Sequence, residues 1–394
     1  MLLNIIVKKR DILSKQHKQS QKRYNEISSD IRFQVIIGIV LIIAIIIFSY
    51  LNLNRTALLQ IESPNNIIIE KNTNTIFLET LTLRQKIAQM IITYDKKENK
   101  EQLQNLLIGG IHIGAKSSKE EFLSQLSDYQ AQAKIPFLLT IDLEGCGNPF
   151  ESFAKFPAVV NISTNEEAYI IGYQQGLLLK ELGFTINFAP VIDLNDTIWK
   201  CRTFNGTIEE ISEKAASYIK GLQDTGIIAT AKHFPGKTII ANDPHKDIVI
   251  TIIDKDDIEP FNYVKKENVS AIMVSHQITS GFIDSNGKPS TVSKEVNVKI
   301  HEQFDGLVIS DEIGMGGLKS YYKDDITNLY IDVFSSGNDL IIYFNTDISQ
   351  LVQLIDIIET SVKQGKIREK DIDKSVYKIL KAKGFNVINH KLYK

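Results

Sequence analysis

Ile227-Ile228-Ala229-Thr230-Ala231-Lys232-His233-Phe234-Pro235-Gly236 is an apolar, partly β-branched run that ends in a lysine and a histidine and breaks at Pro-Gly. Near-continuous apolarity marks a strand covered on both faces, as in a parallel sheet; a half-exposed strand would alternate. Working outward, seven more segments share this character: 90–93, 110–114, 137–142, 185–192, 271–276, 307–311 and 339–343. Between them lie helical patterns at 166–182, 208–222, 348–362 and 370–382. In the first of these, Ile170, Tyr173 and Leu177 fall at a spacing that predicts a buried face, and Gly183 ends the helix. Glu209 and Glu210 open the second, where the helix dipole favours acids.

Eight strands alternating with helices predict an α/β fold, a (β/α)8 barrel. A doubly wound open sheet is the alternative, but no G-x-G-x-x-G follows the first strand. The polar residues then share one place. Asp142, Asp193, Lys232, His233, His276 and Asp311 all sit at or just past the C-terminal ends of their strands. In a barrel that face builds the active site. Asp243-Pro244-His245, on the loop after the first strand considered, adds a candidate proton donor, and Ser310-Asp311-Glu312 a candidate nucleophile.

Composition narrows the classes. With 45 basic and 47 acidic residues in 394, no net charge steers the chain toward nucleic acid. Cys146 and Cys201 are too few for a disulfide framework and lack zinc-site spacing, so they read as buried thiols, with a bridge open to a domain outside the cytosol. The span 33–51 is apolar and, at 1.5 Å per residue, long enough for a hydrocarbon core of ~30 Å. Lys8, Lys9, Arg10, Lys15, Lys18, Lys22, Arg23 and Arg32 precede it, which places the N-terminus in the cytoplasm and the rest outside. A cleaved signal peptide is the other reading, but the long basic region and the absence of a small-x-small site favour an uncleaved anchor. The expected organisation is a basic tail (1–32), a transmembrane anchor (33–51), an Asn-rich linker (52–79) and the barrel (80–394).

The segments LTLRQKIAQM (81–90), IDLEG (141–145), NFAPVIDLN (187–195), RTF (202–204), KHFPG (232–236), DPH (243–245), IMVSH (272–276), STVS (290–293) and VISDEIGMGGL (308–318) run in the order of glycoside hydrolase family 3. Over 81–394 the chain resembles the bacterial β-N-acetylglucosaminidase branch of that family, which acts in peptidoglycan turnover. The resemblance implies a retaining mechanism with Asp311 as nucleophile and no metal or other cofactor. It implies His245, two residues after Asp243, as acid/base. A histidine titrates near neutrality and can both give and take a proton, and Asp243 can fix its tautomer. The resemblance further makes Asp142, Arg202, Lys232 and His233 contacts to the hydroxyls of an amino-sugar glycan. Trp199 is a candidate platform for a sugar face, and Phe234 reads as core. Asp193 and His276 are expected to support the site from behind.

Three departures bear on recognition. The family's D-x-E-G-G-R-V-x-R run continues here as Asp142-Leu143-Glu144-Gly145-Cys146-Gly147-Asn148-Pro149-Phe150, without either arginine. Lys237-Thr238-Ile239-Ile240 replaces the family's glycine-histidine-glycine-aspartate, and Arg202-Thr203-Phe204-Asn205-Gly206 replaces RSFGE. A lost charged contact costs about 1.5–3 kcal/mol, a factor of 10 to 150 in binding. The expectation is therefore a membrane-anchored β-N-acetylhexosaminidase with altered substrate preference. Two alternatives stand beside it: a sugar-binding or scaffolding module of the envelope, and a glucosidase or xylosidase with a carboxylate acid, which the D-x-H motif disfavours.

Overall fold

The computed structural model describes residues 64–237 and 248–389, together with positions 18, 21, 37–39 and 41–43. The chain divides into the units Met1–Gln60 and Ile61–Lys394. In the second unit, eight parallel strands form one sheet: β1 (Ile91–Tyr94), β2 (Gly110–His112), β3 (Leu138–Ile141), β4 (Ile186–Asn187), β5 (Ile228–Phe234), β6 (Ala271–Val274), β7 (Leu307–Ser310) and β8 (Ile341–Ile342). Neighbours pair in chain order, and β8 pairs with β1. A bridge between Ile309 and Leu340 joins β7 to the start of β8 and closes the barrel. Every residue of β3, β6 and β7 is buried, as their unbroken apolarity requires when helices cover one face and the barrel interior the other. All eight predicted strands are present.

The helices start where capping chemistry allows. Thr207 accepts the Glu210 N–H while Glu210 reaches back to the Thr207 N–H, a reciprocal cap that opens Ile208–Asp224. Thr164 caps Asn165–Leu182 by accepting the Glu167 N–H, and that helix ends at Gly183 in the left-handed conformation.

The predicted buried face of Asn165–Leu182 is wrong. Ile170, Tyr173 and Leu177 are 43%, 38% and 47% exposed, while Ala168, Gly172, Gln175, Gly176, Leu179 and Leu182 face inward. Small residues win because Ile208–Asp224 lies so close. A Cβ on Gly172 would stand 2.2 Å from the Tyr218 carbonyl oxygen, and one on Gly221 2.3 Å from that of Tyr169. Backbone-to-backbone contact of this kind excludes the bulky stripe, which turns outward.

Of the predicted linker, 52–79, residues 52–63 lie outside the described residues and the rest is folded. From Pro64 onward the chain is folded: Ile69–Glu70 and Thr75–Phe77 pair, and Asn386–Ile388 joins them in a three-stranded sheet. Most of the predicted anchor, 33–51, lies outside the described residues; its described positions, 37–39 and 41–43, are helical. Among the described residues no helix is long and apolar enough to cross a membrane. A parallel ribbon of Ile250–Ile253 and Ile278–Gly281 stands beside the strand ends after β5 and β6.

Candidate active site

The C-terminal strand ends enclose a cavity of 600 Å³. Its wall includes Asp142 after β3, Arg202 after β4, Lys232 and His233 on β5, His276 after β6 and Asp311 after β7. Five predicted site residues (Asp142, Arg202, Lys232, His233 and Asp311) thus converge. Asp243 and His245 lie outside the described residues. The described residues stop at Lys237 and resume at Ile248; Val249 lines the cavity, and the Gly236 carbonyl accepts a hydrogen bond from Gln277, which also lines it.

An ionic network builds one side. Lys232 Nζ lies 2.6 Å from Asp142 Oδ1 and 2.6 Å from Glu144 Oε1. Arg202 grips the same Glu144 with two parallel bonds, Nε to Oε2 at 2.7 Å and Nη2 to Oε1 at 2.9 Å. Burial works against charge on Glu144, Lys232 and Arg202. For Glu144 the attraction of Lys232 and Arg202 outweighs burial and holds its carboxyl far below the usual range. For Lys232 the carboxylates of Asp142 and Glu144 outweigh burial and raise its pKa, and Glu144 does the same for Arg202.

Asp311 sits across the cavity, its Oδ1 accepting the Glu312 N–H at 2.8 Å. Burial would raise its pKa, but His276, His233, the Glu312 N–H and Lys232 together hold it below the ordinary aspartate value. An ionised, partly desolvated carboxylate on a rigid strand end is what a nucleophile toward an electrophilic carbon needs. His276 is fixed from both ring nitrogens, by Thr291 Oγ1 at 2.7 Å and the Glu312 carbonyl at 2.8 Å. Asp193 lies 3.5 Å from His233 Nδ1, behind the cavity wall as expected. Burial, then Asp311, raises the Glu312 pKa, and its carboxyl receives the N–H groups of Gly314 and Phe344.

Apolar groups complete the wall: Phe188, Met273, Met315, Ile342, Phe344 and Trp199. The Arg202 guanidinium stands 4.7 Å over the Trp199 ring. Phe234 packs edge-on against Phe261 in the core, as predicted.

Residues 82–382 match the glycosyl hydrolase family 3 N-terminal domain. The chain belongs to that family. This family 3 chain is 25% identical over 334 residues to the β-hexosaminidase LpqI of Mycobacterium tuberculosis, covering 78% of this chain and 84% of that protein. It is 27% identical over 285 residues to a β-hexosaminidase of Mannheimia succiniciproducens, covering 66% and 80%. A family 3 glycosyl hydrolase structure from Mycobacterium smegmatis shares the fold with a TM-score of 0.70 at 24% identity, covering 77% of this chain and 98% of that one. A family 3 β-N-acetylglucosaminidase from Paenibacillus gives 0.71 at 24%, covering 77% and 62%.

One reading needs correction, and two residues were overlooked. Cys146 and Cys201 are not thiols but a disulfide, with Cα atoms 5.7 Å apart. Phe150, where the family's second arginine stands, turns away from the cavity into a cluster with Phe122, Phe153 and Phe184. Glu144, the centre of the network, was legible in IDLEG as a second carboxylate on the same strand-end loop. His112 ends β2, with Nε2 3.8 Å from Asp142 and its ring stacked on Phe188; burial lowers its pKa and keeps it neutral.

Proposed function

We propose that this family 3 hydrolase is a retaining β-N-acetylhexosaminidase that cleaves N-acetylglucosamine-containing glycans of the cell wall. The observation that carries the reading is Asp311, ionised in a cavity that Arg202, Lys232 and Asp142 also line. The β-hexosaminidase names of its relatives agree with it. Asp311 attacks the anomeric carbon as the aglycone oxygen departs, forming a glycosyl-aspartate. His245, oriented by Asp243, donates the proton to that oxygen and then takes one from the water that attacks the glycosyl-enzyme. Lys232, Arg202, His233 and Asp142 hold the sugar's hydroxyls. A carboxylate suits this task because it accepts two hydroxyl donors at once.

The barrel is assigned to the outer side of a membrane, tethered by the span 33–51. Support comes from its apolar run, from the exposed helical Ile37, Ile39, Leu41, Ile42 and Ile43, from the basic flank, and from a disulfide, which persists in oxidising compartments.

Turnover of a chromogenic β-N-acetylglucosaminide tests the activity. Wild type should cleave it, and Asp311→Ala should lose at least about 10³-fold in kcat, the order expected when a catalytic group is removed. Unchanged turnover in Asp311→Ala excludes the reading. One observation favours a second reading, a sugar-binding module without hydrolysis: the Phe150 ring occupies the core where an arginine would meet substrate. Calorimetric binding of a muropeptide with no turnover in wild type would establish that reading instead.

A further inference from the structure

Cys146 belongs to the irregular loop after β3, between Gly145 and Gly147, both at positive φ. Two residues before it is Glu144. Its disulfide partner, Cys201, belongs to the loop after β4 and directly precedes Arg202. The two loops are therefore joined twice within three residues, by the disulfide and by the Glu144–Arg202 pair. Neither loop segment is held by a strand or helix at these positions. The β4 loop is pinned locally by Asp196, whose carboxylate receives the backbone N–H groups of Ile198, Trp199, Cys201 and Arg202 at 2.8–3.2 Å. Asp196 gives that loop its shape; it does not set the loop's distance from β3. The strands beneath hold the roots of both loops, through hydrogen bonds exchanged between Leu143 and Asn187 of β4 and a bridge between Thr203 and Val191, and the two cross-links join the segments above those roots.

We propose that the Cys146–Cys201 disulfide is a positioning element for substrate binding, fixing Arg202 and Trp199 in the cavity so that sugar affinity depends on the oxidation state of this bond. It stands where the chain lacks the family's arginines, and it puts a covalent strut in the cavity wall, to which Cys146 contributes. The proposal rests on the reading of Arg202 as a sugar contact. The chain has only two cysteines and one tryptophan, so a reductant acts at this bond alone and Trp199 reports its own loop.

The test compares the full chain before and after dithiothreitol, which transfers two electrons to give two protein thiols and its own cyclic disulfide. A Cys146→Ser/Cys201→Ser double variant serves as the permanently open form. Reduction, verified by titration of two thiols, should raise KM for the aryl β-N-acetylglucosaminide about 10-fold, the loss of one charged contact, with kcat changed less than about 3-fold. The Trp199 emission should move to longer wavelength and become more open to acrylamide quenching. Reoxidation should restore both values, and the double variant should show the high KM and ignore dithiothreitol. A purified chain with two free thiols before treatment, or full reduction with an unmoved KM, overturns the proposal. If no aryl glycoside is turned over in either state, the hydrolase reading fails, and Trp199 decides the positioning role: a shift on reduction supports it, and an unchanged spectrum overturns it.

Discussion

Replacing Glu144 by glutamine removes one negative charge from the centre of the ionic network while keeping its shape. The amide keeps one oxygen as an acceptor, so Arg202 loses one of its two contacts, at 2.7 and 2.9 Å, and both Arg202 and Lys232 lose the neighbouring negative charge, Lys232 keeping Asp142 at 2.6 Å. Glu144 is only 6% exposed, so water does not replace what is lost. Removing one partner of a buried ion pair costs about 3–5 kcal/mol, because the remaining charge stays buried without compensation. At about 2.1 cal/mol/K per residue, a unit such as Ile61–Lys394 has an unfolding entropy near 0.7 kcal/mol/K, so Tm should fall by about 4–7 °C. The pH dependence follows from the depressed Glu144 pKa. A carboxylate whose folded pKa lies below its unfolded value stabilises fully above the unfolded value and loses that contribution as pH falls through the folded one. The Tm gap between wild type and Glu144→Gln should therefore hold from pH 8 down to about 4.5 and narrow only in more acidic buffer. Differential scanning fluorimetry across that range reads it, and KM should rise about 10-fold as Arg202 loses its anchor. A Tm within 1 °C of wild type at pH 7, or a gap that closes above pH 5, would refute the reading of Glu144 as a charged strut.

Three further outcomes are expected. His276→Gln removes the strongest attraction holding Asp311 ionised, so the acidic limb of the kcat/KM profile should move to higher pH; a limb that stays in place contradicts the assigned cause. Gly172→Ala forces a methyl to within 2.2 Å of the Tyr218 carbonyl and should cost about 1–3 kcal/mol by denaturant titration, whereas Ile170→Ser on the exposed stripe should change stability by less than about 0.5 kcal/mol. Equal effects at the two positions would mean that the helix face is assigned the wrong way round. Removing the disulfide, which spans 55 residues, should lower stability by up to about 4 kcal/mol through the entropy of the unfolded chain, read as a lower urea midpoint for Cys146→Ser/Cys201→Ser.

Much of the site was legible because parallel strands buried on both faces are apolar until they reach the open end of the barrel. A polar residue that interrupts such a run, as Lys232 or Asp311 does, marks the mouth of the cavity by position alone. What sequence periodicity missed depends on distances between segments far apart in the chain. The stripe Ile170, Tyr173 and Leu177 has the spacing of a buried face, but burial is decided by the neighbouring helix, whose backbone comes too near for anything larger than glycine. Glu144 gives no sign in one dimension of whether it faces solvent or two cations.

From sequence alone came the barrel, the end of it that holds the cavity, and most of the charged residues and histidines that line it, because strand periodicity and strand-end polarity are local properties of the chain. Tertiary structure alone decided that Cys146 and Cys201 meet across 55 residues, that Phe150 turns into the core, and that one carboxylate serves both Arg202 and Lys232. Each of these is a contact between separate segments of the chain, and such segments come together only when the barrel closes.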